Sequence, residues 1–419
     1  MTANSTVRHS LAASDCSCTV LFVDDSFTFG GAIISLARLI EGLDPLGIRP
    51  VVVSAQSEET MNRLFGEKRT TVPEAPALAK HETLLGQLLG DPPPSQDAIT
   101  RLTHQANNLD RLLRWMLPTT LRYVREGLRH DVDLIHLNNG LESQLPGVYA
   151  ANLLGVPCIV HTRGFPRFSR LSSRAIGGVD RFIAVSTSVE RQLLQNGVPS
   201  GCVSVIHDAV DMEQYSRPRD PMLVRDELGI PPAARAFGLI GRIIGWKGVR
   251  EFVRAAIRVL EQDSDAYALV VGDESDGDPA YYREVREIAE RSGVGDRILF
   301  VGYRDDIPAI VWALDLLVHT STAPEPFGLV LVEAMAAAKP VVAADRGGPL
   351  DIVEDGTTGL LVDPEDTKAL ARSILDVLQD PQLARKMGDR GQHRARSMFS
   401  IDRYASEVLS VYDGILNGL

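Results

Sequence analysis

The sequence predicts an α/β protein made of two Rossmann-like domains in tandem, each built on a parallel sheet. Short apolar runs alternate with amphipathic stretches, the alternation stops near residue 215, and it then restarts. Strands that alternate with helices indicate βαβ units, and such units make parallel, doubly wound sheets. A chain of 419 residues is also the size expected for two domains.

In the first half of the chain, the apolar runs that are typical of buried strands are 19–24, 50–55, 132–137, 157–162, 181–186 and 203–208. Helical patterns lie between several of them, at 32–43 and 188–197. We therefore predict a Rossmann-like domain over 19–215, after a disordered tail at 1–18. The segment 57–130 is longer than one βα connection needs, and we predict that it is a helical elaboration of this domain.

The second half repeats the pattern after a linker. Residues 210–235 are rich in proline, arginine and aspartate and contain no clear strand. The apolar runs that follow are 237–242, 267–273, 297–303, 314–320, 339–345 and 358–363. A second Rossmann-like domain is predicted over 216–400, and a C-terminal helix over 401–419.

Charge and composition exclude several classes of protein. The net charge is −12 and no long basic tract occurs, so general nucleic-acid binding is not expected. The cysteines, at 16, 18, 158 and 202, lack the second pair that a zinc site needs and are too few for a disulfide framework. Residues 1–18 hold no signal-peptide pattern, and no apolar run is long enough to span a membrane. A cytoplasmic location is therefore predicted.

Residues 101–130 form a basic segment with a helical pattern. They contain six arginines and two acidic residues, which gives a net charge of +4. The arginines lie at 101, 111, 114, 122, 125 and 129, and an apolar stripe runs through Leu109, Leu113, Met116, Leu121, Val124 and Leu128. Such a helix suits an anionic membrane surface, which would make the protein peripheral at the inner membrane face. The pattern is equally typical of a solvated helix that packs on a core.

In tandem Rossmann-like domains, the carboxyl ends of the two sheets face a central cleft, and ligands bind at that edge. The run GLIGRIIGWKG at 238–248 follows the first strand of the second domain. It places Arg242 and Lys247 in a glycine-rich loop before a helix that begins near Val249. Two cations at a helix N-terminus suit a diphosphate, although a turn with two solvated cations has the same composition.

The run TAPEPFGLVLVE at 322–333 follows another strand of the second domain. Gly328 is predicted to begin a helix that reaches Ala338, and the unpaired amides of its first turn suit a phosphate. Glu325 lies before this helix, where a carboxylate can accept hydrogen bonds from sugar hydroxyls. Glu333 lies inside the apolar helix and needs a partner there, either ribose hydroxyls or a buried arginine or backbone amide.

Two loops of the first domain reach the same predicted cleft. Gly30 and Gly31 follow the first strand and can receive a phosphate or an acceptor, but paired glycines are also ordinary turn residues. His161 ends a strand in IVHTRGFPR and can hydrogen-bond a substrate, or it can be a structural histidine. The D-x-D of Asp131 and Asp133 precedes a strand, so we predict a helix-to-strand turn there and no metal site.

These motifs, in this order, resemble the retaining glycosyltransferases of family 4, which have the GT-B fold. The resemblance covers roughly residues 19–418 and is most specific in EPFGLVLVE, an E-x7-E element, followed by AMAAAKPVVAADRGG. It includes GRIIGWKG and the segment VSTSVERQLLQNGVPSGCVSVIHDAVD before the linker. The chain departs from the family's usual pattern at Ile33 and at Asp208-Ala209, and neither departure touches the predicted donor site.

The resemblance implies a role for each residue of the donor site. Arg242 and Lys247 would hold the donor diphosphate, Glu325 would contact the donor sugar on the reacting face, and Glu333 would hold the ribose. The other implied positions are the amides of Gly328 and Leu329 near the sugar and phosphates, the loop from Gly302 to Asp306 beside the nucleobase, and His161, Gly30 and Gly31 in the first domain.

The implied reaction moves a sugar from a nucleotide diphosphate sugar to an acceptor hydroxyl and keeps the anomeric configuration. UDP is the commonest nucleotide of the family, and neither a metal nor a further cofactor is expected. A carbohydrate or lipid-linked acceptor, in polysaccharide, glycolipid or glycoconjugate biosynthesis, is the first expectation, and a small metabolite is the second. The alternatives are a nucleotide-sugar 2-epimerase and a non-catalytic protein that binds nucleotide sugars.

Overall fold

The computed structural model describes residues 18–26, 30–66, 71–72, 112–216, 220–273 and 278–418. Its contacts divide the chain into two compact units. The first unit comprises Met1–Ala184, Val189–Ile206 and Ala405–Leu419, and the second comprises Val185–Ser188 and His207–Tyr404. The predicted tail, apart from Cys18, and much of the predicted 57–130 elaboration lie outside the described residues. The predicted domain bounds stay predictions.

The first unit contains a sheet in which all strand pairs are parallel. Its strands are β1 (Cys18–Asp24), β2 (Ile48–Ser54), β3 (Thr71–Val72), β4 (Leu134–Leu137), β5 (Cys158–Thr162), β6 (Arg181–Ala184) and β7 (Val203–Val205). The order β3-β2-β1-β4-β5-β6-β7 puts a topological switch point between β1 and β4. Each apolar run of the first half is one of these strands, and only β3 was not predicted.

Helices connect these strands. They are α1 (Gly31–Leu43), α2 (Glu58–Phe65), a π-helical turn (Leu112–Met116) that leads into α3 (Leu117–His130), α4 (Leu145–Leu154), α5 (Arg170–Ala175) and α6 (Thr187–Gln195). The chain leaves α3 through Asp131, which adopts the left-handed conformation at φ 51°. The carboxylate of Asp133 accepts a hydrogen bond from the Thr19 amide at 2.9 Å. The predicted helix-to-strand turn is therefore confirmed.

The second unit has its own sheet, again with only parallel pairs. Its strands are β8 (Arg235–Ile240), β9 (Ala266–Val271), β10 (Ile298–Gly302), β11 (Leu316–His319), β12 (Val341–Ala344) and β13 (Leu360–Val362). The order is β10-β9-β8-β11-β12-β13, so the chain reverses direction across the sheet between β8 and β11. All the runs predicted for the second half form strands.

The helices of this half are α7 (Met212–Ser216), α8 (Pro221–Glu227), α9 (Val249–Gln262), α10 (Pro279–Glu290), α11 (Ile307–Ala313), α12 (Leu329–Ala336), α13 (Pro349–Ile352), α14 (Thr367–Gln379), α15 (Pro381–Met398) and α16 (Ile401–Leu416). In α9 the fully buried Val249, Phe252, Val253, Ala256 and Val259 recur at helical spacing. They pack against buried residues of β8, β9 and β11 in one apolar core.

Within residues 210–216 and 220–234, the described part of the predicted linker, no strand occurs, as expected, but two helices do, α7 and α8. Arg225 of α8 is buried, donates to the Ala313 carbonyl at 3.0 Å and pairs with Asp315 at 2.9 Å. These bonds fix α8 to the segment that leads into β11. None of the helices in the described ranges is long and apolar enough to cross a membrane.

Candidate functional site

The carboxyl ends of β8 and β11 lie side by side in the second unit, at the point where the strand order reverses. The GRIIGWKG loop follows β8, and the loop that contains Glu325 follows β11. Open α/β sheets bind ligands at such a switch point because the loops diverge there and leave a crevice. Both of the strongest sequence motifs therefore meet at one place.

The loop after β8 is tied to the loop after β11 by backbone contacts. The Thr320 hydroxyl lies 2.9 Å from the Gly248 carbonyl oxygen and 3.1 Å from that of Lys247, and it can donate its one proton to either of them. The Thr322 amide donates to the Trp246 carbonyl at 2.9 Å. Gly248 has a φ of 69°, and a Cβ there would lie 1.8 Å from the Thr320 carbonyl oxygen. Only glycine permits this approach.

Glu325 is held by three side chains that converge on one of its oxygens. Its Oε2 accepts from Lys247 Nζ at 2.7 Å and from Ser321 Oγ at 2.8 Å, and it lies 3.4 Å from His319 Nε2. Burial by itself would raise the pKa of Glu325, but the Lys247 charge and the His319 contact lower it below the usual value. The site therefore holds an ionised carboxylate beside an ammonium group.

His319 and Ser321 were not predicted as site residues. Ser321 Oγ lies 3.1 Å from His319 Nε2 as well as 2.8 Å from Glu325. A hydroxyl has one proton to donate, so the contacts are all satisfied when Ser321 donates to Glu325 and His319 carries its proton on Nε2. Their position at the carboxyl end of β11, where His319 is the last strand residue and Ser321 lies in the loop, is the sequence signal that could have revealed them.

A cavity opens at this edge of the sheet. Its lining residues are Leu239, Ile240, Gly241, Lys247, Val318, His319, Thr320 and Ser321. Both apolar strand residues and the polar residues Lys247 and His319 therefore line this small cavity. Arg242 directly follows this lining and is exposed.

The helix after Glu325 is shorter than predicted. Helix α12 begins at Leu329 and ends at Ala336, and Gly328 is its N-cap residue with a φ of 111°. Ala338 has a φ of 57° and lies beyond the helix, so its predicted inclusion was wrong. The first turn of α12 still directs unpaired amides away from the helix. Glu333 lies on α12 and is 9% exposed.

Two glycines hold the backbone of Glu325 in place. The Gly348 amide donates to the Glu325 carbonyl at 2.7 Å. Gly347 has a φ of 76°, and a Cβ there would lie 2.4 Å from that same carbonyl oxygen. The run DRGG at 345–348, which follows β12, therefore positions Glu325 through the main chain.

Gly302 ends β10 at the outer side of the same sheet, with a φ of 77°. The next residue, Tyr303, is 62% exposed. Arg304 then binds Asp306 at 2.8 Å and also pairs with Glu227, and these acceptors raise its pKa. The predicted nucleobase loop is thus fixed by ion pairs at its base and exposes an aromatic ring.

Gly30 and Gly31 begin helix α1 in the first unit. Gly30 is the N-cap residue in extended conformation, and Gly31 is the first helical residue. A Cβ at either position would meet no atom within 4 Å. Packing within the described residues therefore does not require glycine at either position.

A buried polar cluster at the carboxyl ends of β1 and β4 was not predicted. Asp24 is 2% exposed and accepts from Asn138 at 3.0 Å, from Asn139 at 3.1 Å and from Ser26 at 2.9 Å. Burial raises its pKa, and these donors act against the rise. The cluster lies at the switch point of the first sheet, so position after a strand was again the available signal. Arg163 extends the cluster by donating to Asn138 at 2.9 Å.

His161 is fully buried on β5. Its Nδ1 lies 3.3 Å from His136 Nε2, and His136 Nδ1 lies 2.7 Å from the Tyr412 hydroxyl. Burial and the Arg163 charge lower the pKa of His136 to about 3 and hold the pKa of His161 well below its usual value. Both rings are therefore neutral at pH 7, and the predicted substrate contact of His161 stays a prediction.

These histidines should make stability fall in mild acid. Below pH 6.5, the ordinary histidine pKa, His136 is protonated in the unfolded chain but stays neutral in the folded chain. The free energy of unfolding therefore decreases as the pH falls from 6.5 towards 3. Each histidine should contribute about 1.4 kcal/mol per pH unit in that window. Urea unfolding of His136→Gln between pH 7 and pH 5 should show a shallower decline than wild type. The exposed His393→Gln is the control, and an equal slope in wild type and H136Q would contradict the assignment.

Among the described residues, no group of three or more His, Cys, Asp or Glu is placed to hold a metal ion. The charged groups at the β8–β11 edge are instead the Lys247–Glu325 pair and the exposed Arg242. The edge can therefore offer cations and backbone amides to an anion and a carboxylate to hydroxyl groups.

Comparison with known proteins identifies two family models. Residues 223–394 match the model for glycosyl transferases group 1, and residues 29–214 match the model for glycosyltransferase family 4. The lipopolysaccharide core biosynthesis mannosyltransferase LpsB of Rhizobium meliloti (strain 1021) is 33% identical over 59% of this chain and 72% of its own. The 2-deoxystreptamine glucosyltransferase of Streptomyces kanamyceticus is 30% identical over a segment that covers 72% of this chain and 82% of that enzyme.

Among solved structures, Anabaena Alr3699/HepE in complex with UDP-glucose has a TM-score of 0.76 and 26% identity, with 94% of this chain and 99% of that chain covered. Its agreement extends over both Rossmann-like units of the present chain. The predicted fold class is therefore confirmed. The chain belongs to the family 4 glycosyltransferases and has the GT-B fold.

Proposed function

We propose that this chain is a retaining glycosyltransferase that transfers a sugar from a UDP-sugar to the hydroxyl of a carbohydrate or lipid-linked acceptor in the cytoplasm. The observation that carries the proposal is the contact between Lys247 and Glu325, 2.7 Å apart at the β8–β11 edge. It brings a cation suited to phosphate next to a carboxylate suited to a sugar. A nucleotide sugar needs both groups at the junction of its diphosphate and its sugar.

The leaving diphosphate gains negative charge as the glycosidic bond breaks. We assign its stabilisation to Arg242, Lys247 and the unpaired amides at Gly328 and Leu329, because fixed donors aimed at developing charge lower the barrier. The Lys247 side chain keeps 20% of its surface exposed, so it can be reached from solvent. Within this proposal, Glu333 holds the ribose and the loop after Gly302 borders the base.

Glu325 is assigned to the donor sugar. Its depressed pKa keeps it ionised, so it can accept hydrogen bonds from sugar hydroxyls and stabilise positive charge that develops at the anomeric carbon. His319 and Ser321 hold one carboxylate oxygen, which leaves Oε1 for the sugar. The proposed route is attack on the front face. The bond between the anomeric carbon and the leaving phosphate breaks, the acceptor oxygen bonds to that carbon on the same face, and the proton of the acceptor hydroxyl passes to an oxygen of the leaving phosphate.

The choice of UDP is supported by HepE, whose structure contains UDP-glucose. A thermal-shift panel with UDP-, GDP- and ADP-sugars tests it, because a ligand that binds the folded state raises the melting temperature. UDP-sugars should give the largest rise, and Arg242→Ala should remove most of it. Arg291→Ala, which replaces a side chain that is 79% exposed, should behave as wild type. A larger rise with GDP- or ADP-sugars would reject UDP, and no rise with any of them would reject the donor site.

The acceptor is assigned to the first unit, which carries Gly30, Gly31 and His161. The mannosyltransferase relative is named for lipopolysaccharide core biosynthesis, which favours a lipid-linked or polysaccharide acceptor. The relative named 2-deoxystreptamine glucosyltransferase supports a small metabolite as the second candidate acceptor. Product analysis with both acceptor types separates these. Epimerised sugar nucleotide without any acceptor would indicate an epimerase, and donor binding without turnover would indicate a non-catalytic protein.

We also propose that turnover needs no metal ion. The charges of Arg242 and Lys247 and the α12 amides supply the stabilisation that a divalent cation gives in other transferases. Turnover should therefore be unchanged after dialysis against EDTA. A loss that Mg²⁺ or Mn²⁺ restores would contradict this part of the proposal and leave the donor assignment standing.

A further inference from the structure

The outward face of α3 and of the π-helical turn before it carries a row of exposed leucines. They are Leu112, Leu113, Leu117, Leu121 and Leu128, with exposed fractions between 45% and 71%. A single exposed leucine needs no explanation, but five on one continuous helical segment form an apolar surface. We call this segment, residues 112–130, the leucine face.

The packing of α3 is inverted relative to an ordinary surface helix. Leu117, Leu121 and Leu128 fall within about 40° of one another at 100° per residue, on the side away from the unit. The buried residues of α3 are instead Thr120, Tyr123, Glu126 and Gly127. A helix that merely packs on a core buries its leucines and exposes its charges. Of the predicted apolar stripe, Met116 is buried, but Leu113, Leu121 and Leu128 are exposed, so the alternative in which the stripe packs on a core is wrong for these three leucines.

The charges around the leucines favour an anionic partner. The leucine face has four arginines and one glutamate, in a chain whose net charge is −12. That glutamate, Glu126, is fully buried and paired with Arg125 at 2.9 Å, so it does not oppose an approaching anion. The side chains of Arg125 and Arg129 are 72% and 71% exposed. Exposed leucines flanked by arginines are the pattern of helices that lie in a membrane interface.

We propose that the leucine face binds the surface of an anionic lipid bilayer. Leu117, Leu121 and Leu128 enter the boundary between headgroups and acyl chains, and Arg125 and Arg129 contact lipid phosphates. This inference concerns attachment of the protein to a membrane surface, and it does not depend on the proposed donor site. It narrows the basic segment predicted from sequence to 112–130, since residues 101–111 lie outside the described part of the chain.

Vesicle flotation tests the proposal with the full chain. The protein should float with vesicles of equal parts phosphatidylcholine and phosphatidylglycerol, less so in high salt, and not with phosphatidylcholine alone. The double variant Leu121→Gln/Leu128→Gln should lower the partition coefficient about tenfold or more. Arg129→Gln should lower it about fivefold, the value expected for one basic residue near an anionic surface.

Matched controls lie elsewhere on the chain. Leu223→Gln removes a leucine that is 70% exposed on α8, and Arg385→Gln removes an arginine that is 86% exposed on α15. Both should float as wild type, and circular dichroism should show that all four variants are folded. Absence of flotation in wild type, or L121Q/L128Q floating like the controls, would overturn the proposal. Self-association in sedimentation that L121Q/L128Q abolishes, without lipid binding, would show that a second copy covers the face instead.

Discussion

Replacing Lys247 by alanine is expected to lower kcat/KM with the UDP-sugar donor by about 100- to 1000-fold, mostly through kcat. The ammonium group stabilises negative charge that is largest in the transition state. The same substitution leaves Glu325 buried without its cation, so burial raises the pKa of Glu325 and weakens its action on the sugar. Steady-state kinetics with the donor chosen by the thermal-shift panel measures both parameters.

A second variant separates catalysis from folding. Removing one partner of a buried ion pair destabilises a protein by about 3 to 5 kcal/mol, whereas removing both charges costs much less. Lys247→Met/Glu325→Gln should therefore recover most of the stability lost in Lys247→Met but none of the turnover. The exposed Lys368→Ala is the control for charge. Turnover near the wild-type level in folded K247A would reject the role assigned to Lys247.

Replacing Gly248 by alanine is expected to lower the free energy of unfolding by about 3 kcal/mol or more. The methyl group would lie 1.8 Å from the Thr320 carbonyl oxygen, and a φ of 69° disfavours every residue with a Cβ. The loop after β8 would have to move away from the loop after β11, which would separate Lys247 from Glu325.

Gly245→Ala in the same loop is the matched control. A Cβ at Gly245 would meet no atom within 4 Å, and its φ lies outside the left-handed range. Chemical denaturation and turnover should be measured for both variants. The comparison separates the effect of the Gly248–Thr320 contact from the effect of placing an alanine anywhere in this loop. If G248A retains wild-type stability and turnover, the close approach to Thr320 does not hold the site together.

Local sequence patterns were sufficient for the elements and for part of the site. Within the part of the chain that the structure describes, apolar runs predicted each strand except Thr71–Val72, which is too short for a periodic signal. The rule that ligands bind after strands selected Arg242, Lys247 and Glu325, and the structure brings Lys247 and Glu325 into contact. That rule works from sequence because strand ends and the loops after them are adjacent along the chain.

Contacts between residues that are far apart in the sequence could be identified only from the tertiary structure. Lys247 and Glu325 are 78 positions apart and meet only because β11 pairs with β8 after two intervening strands. His319 and Ser321 gained a role only when their side chains were seen to reach Glu325. In sequence they were one strand residue and one loop residue among many.

The sequence by itself determined the α/β class, the family and the position of the donor motifs. These signals, the periodicity of strands and helices and the loop motifs, depend only on residues that are close together along the chain. Only the tertiary structure decided which polar groups share the Glu325 carboxylate and which face of α3 points outward. The helical spacing of the apolar residues of α3 is the same whether their side of the helix is buried or exposed. Its direction was set by packing against the rest of the unit, where Tyr123 and Gly127 fit and the leucines do not.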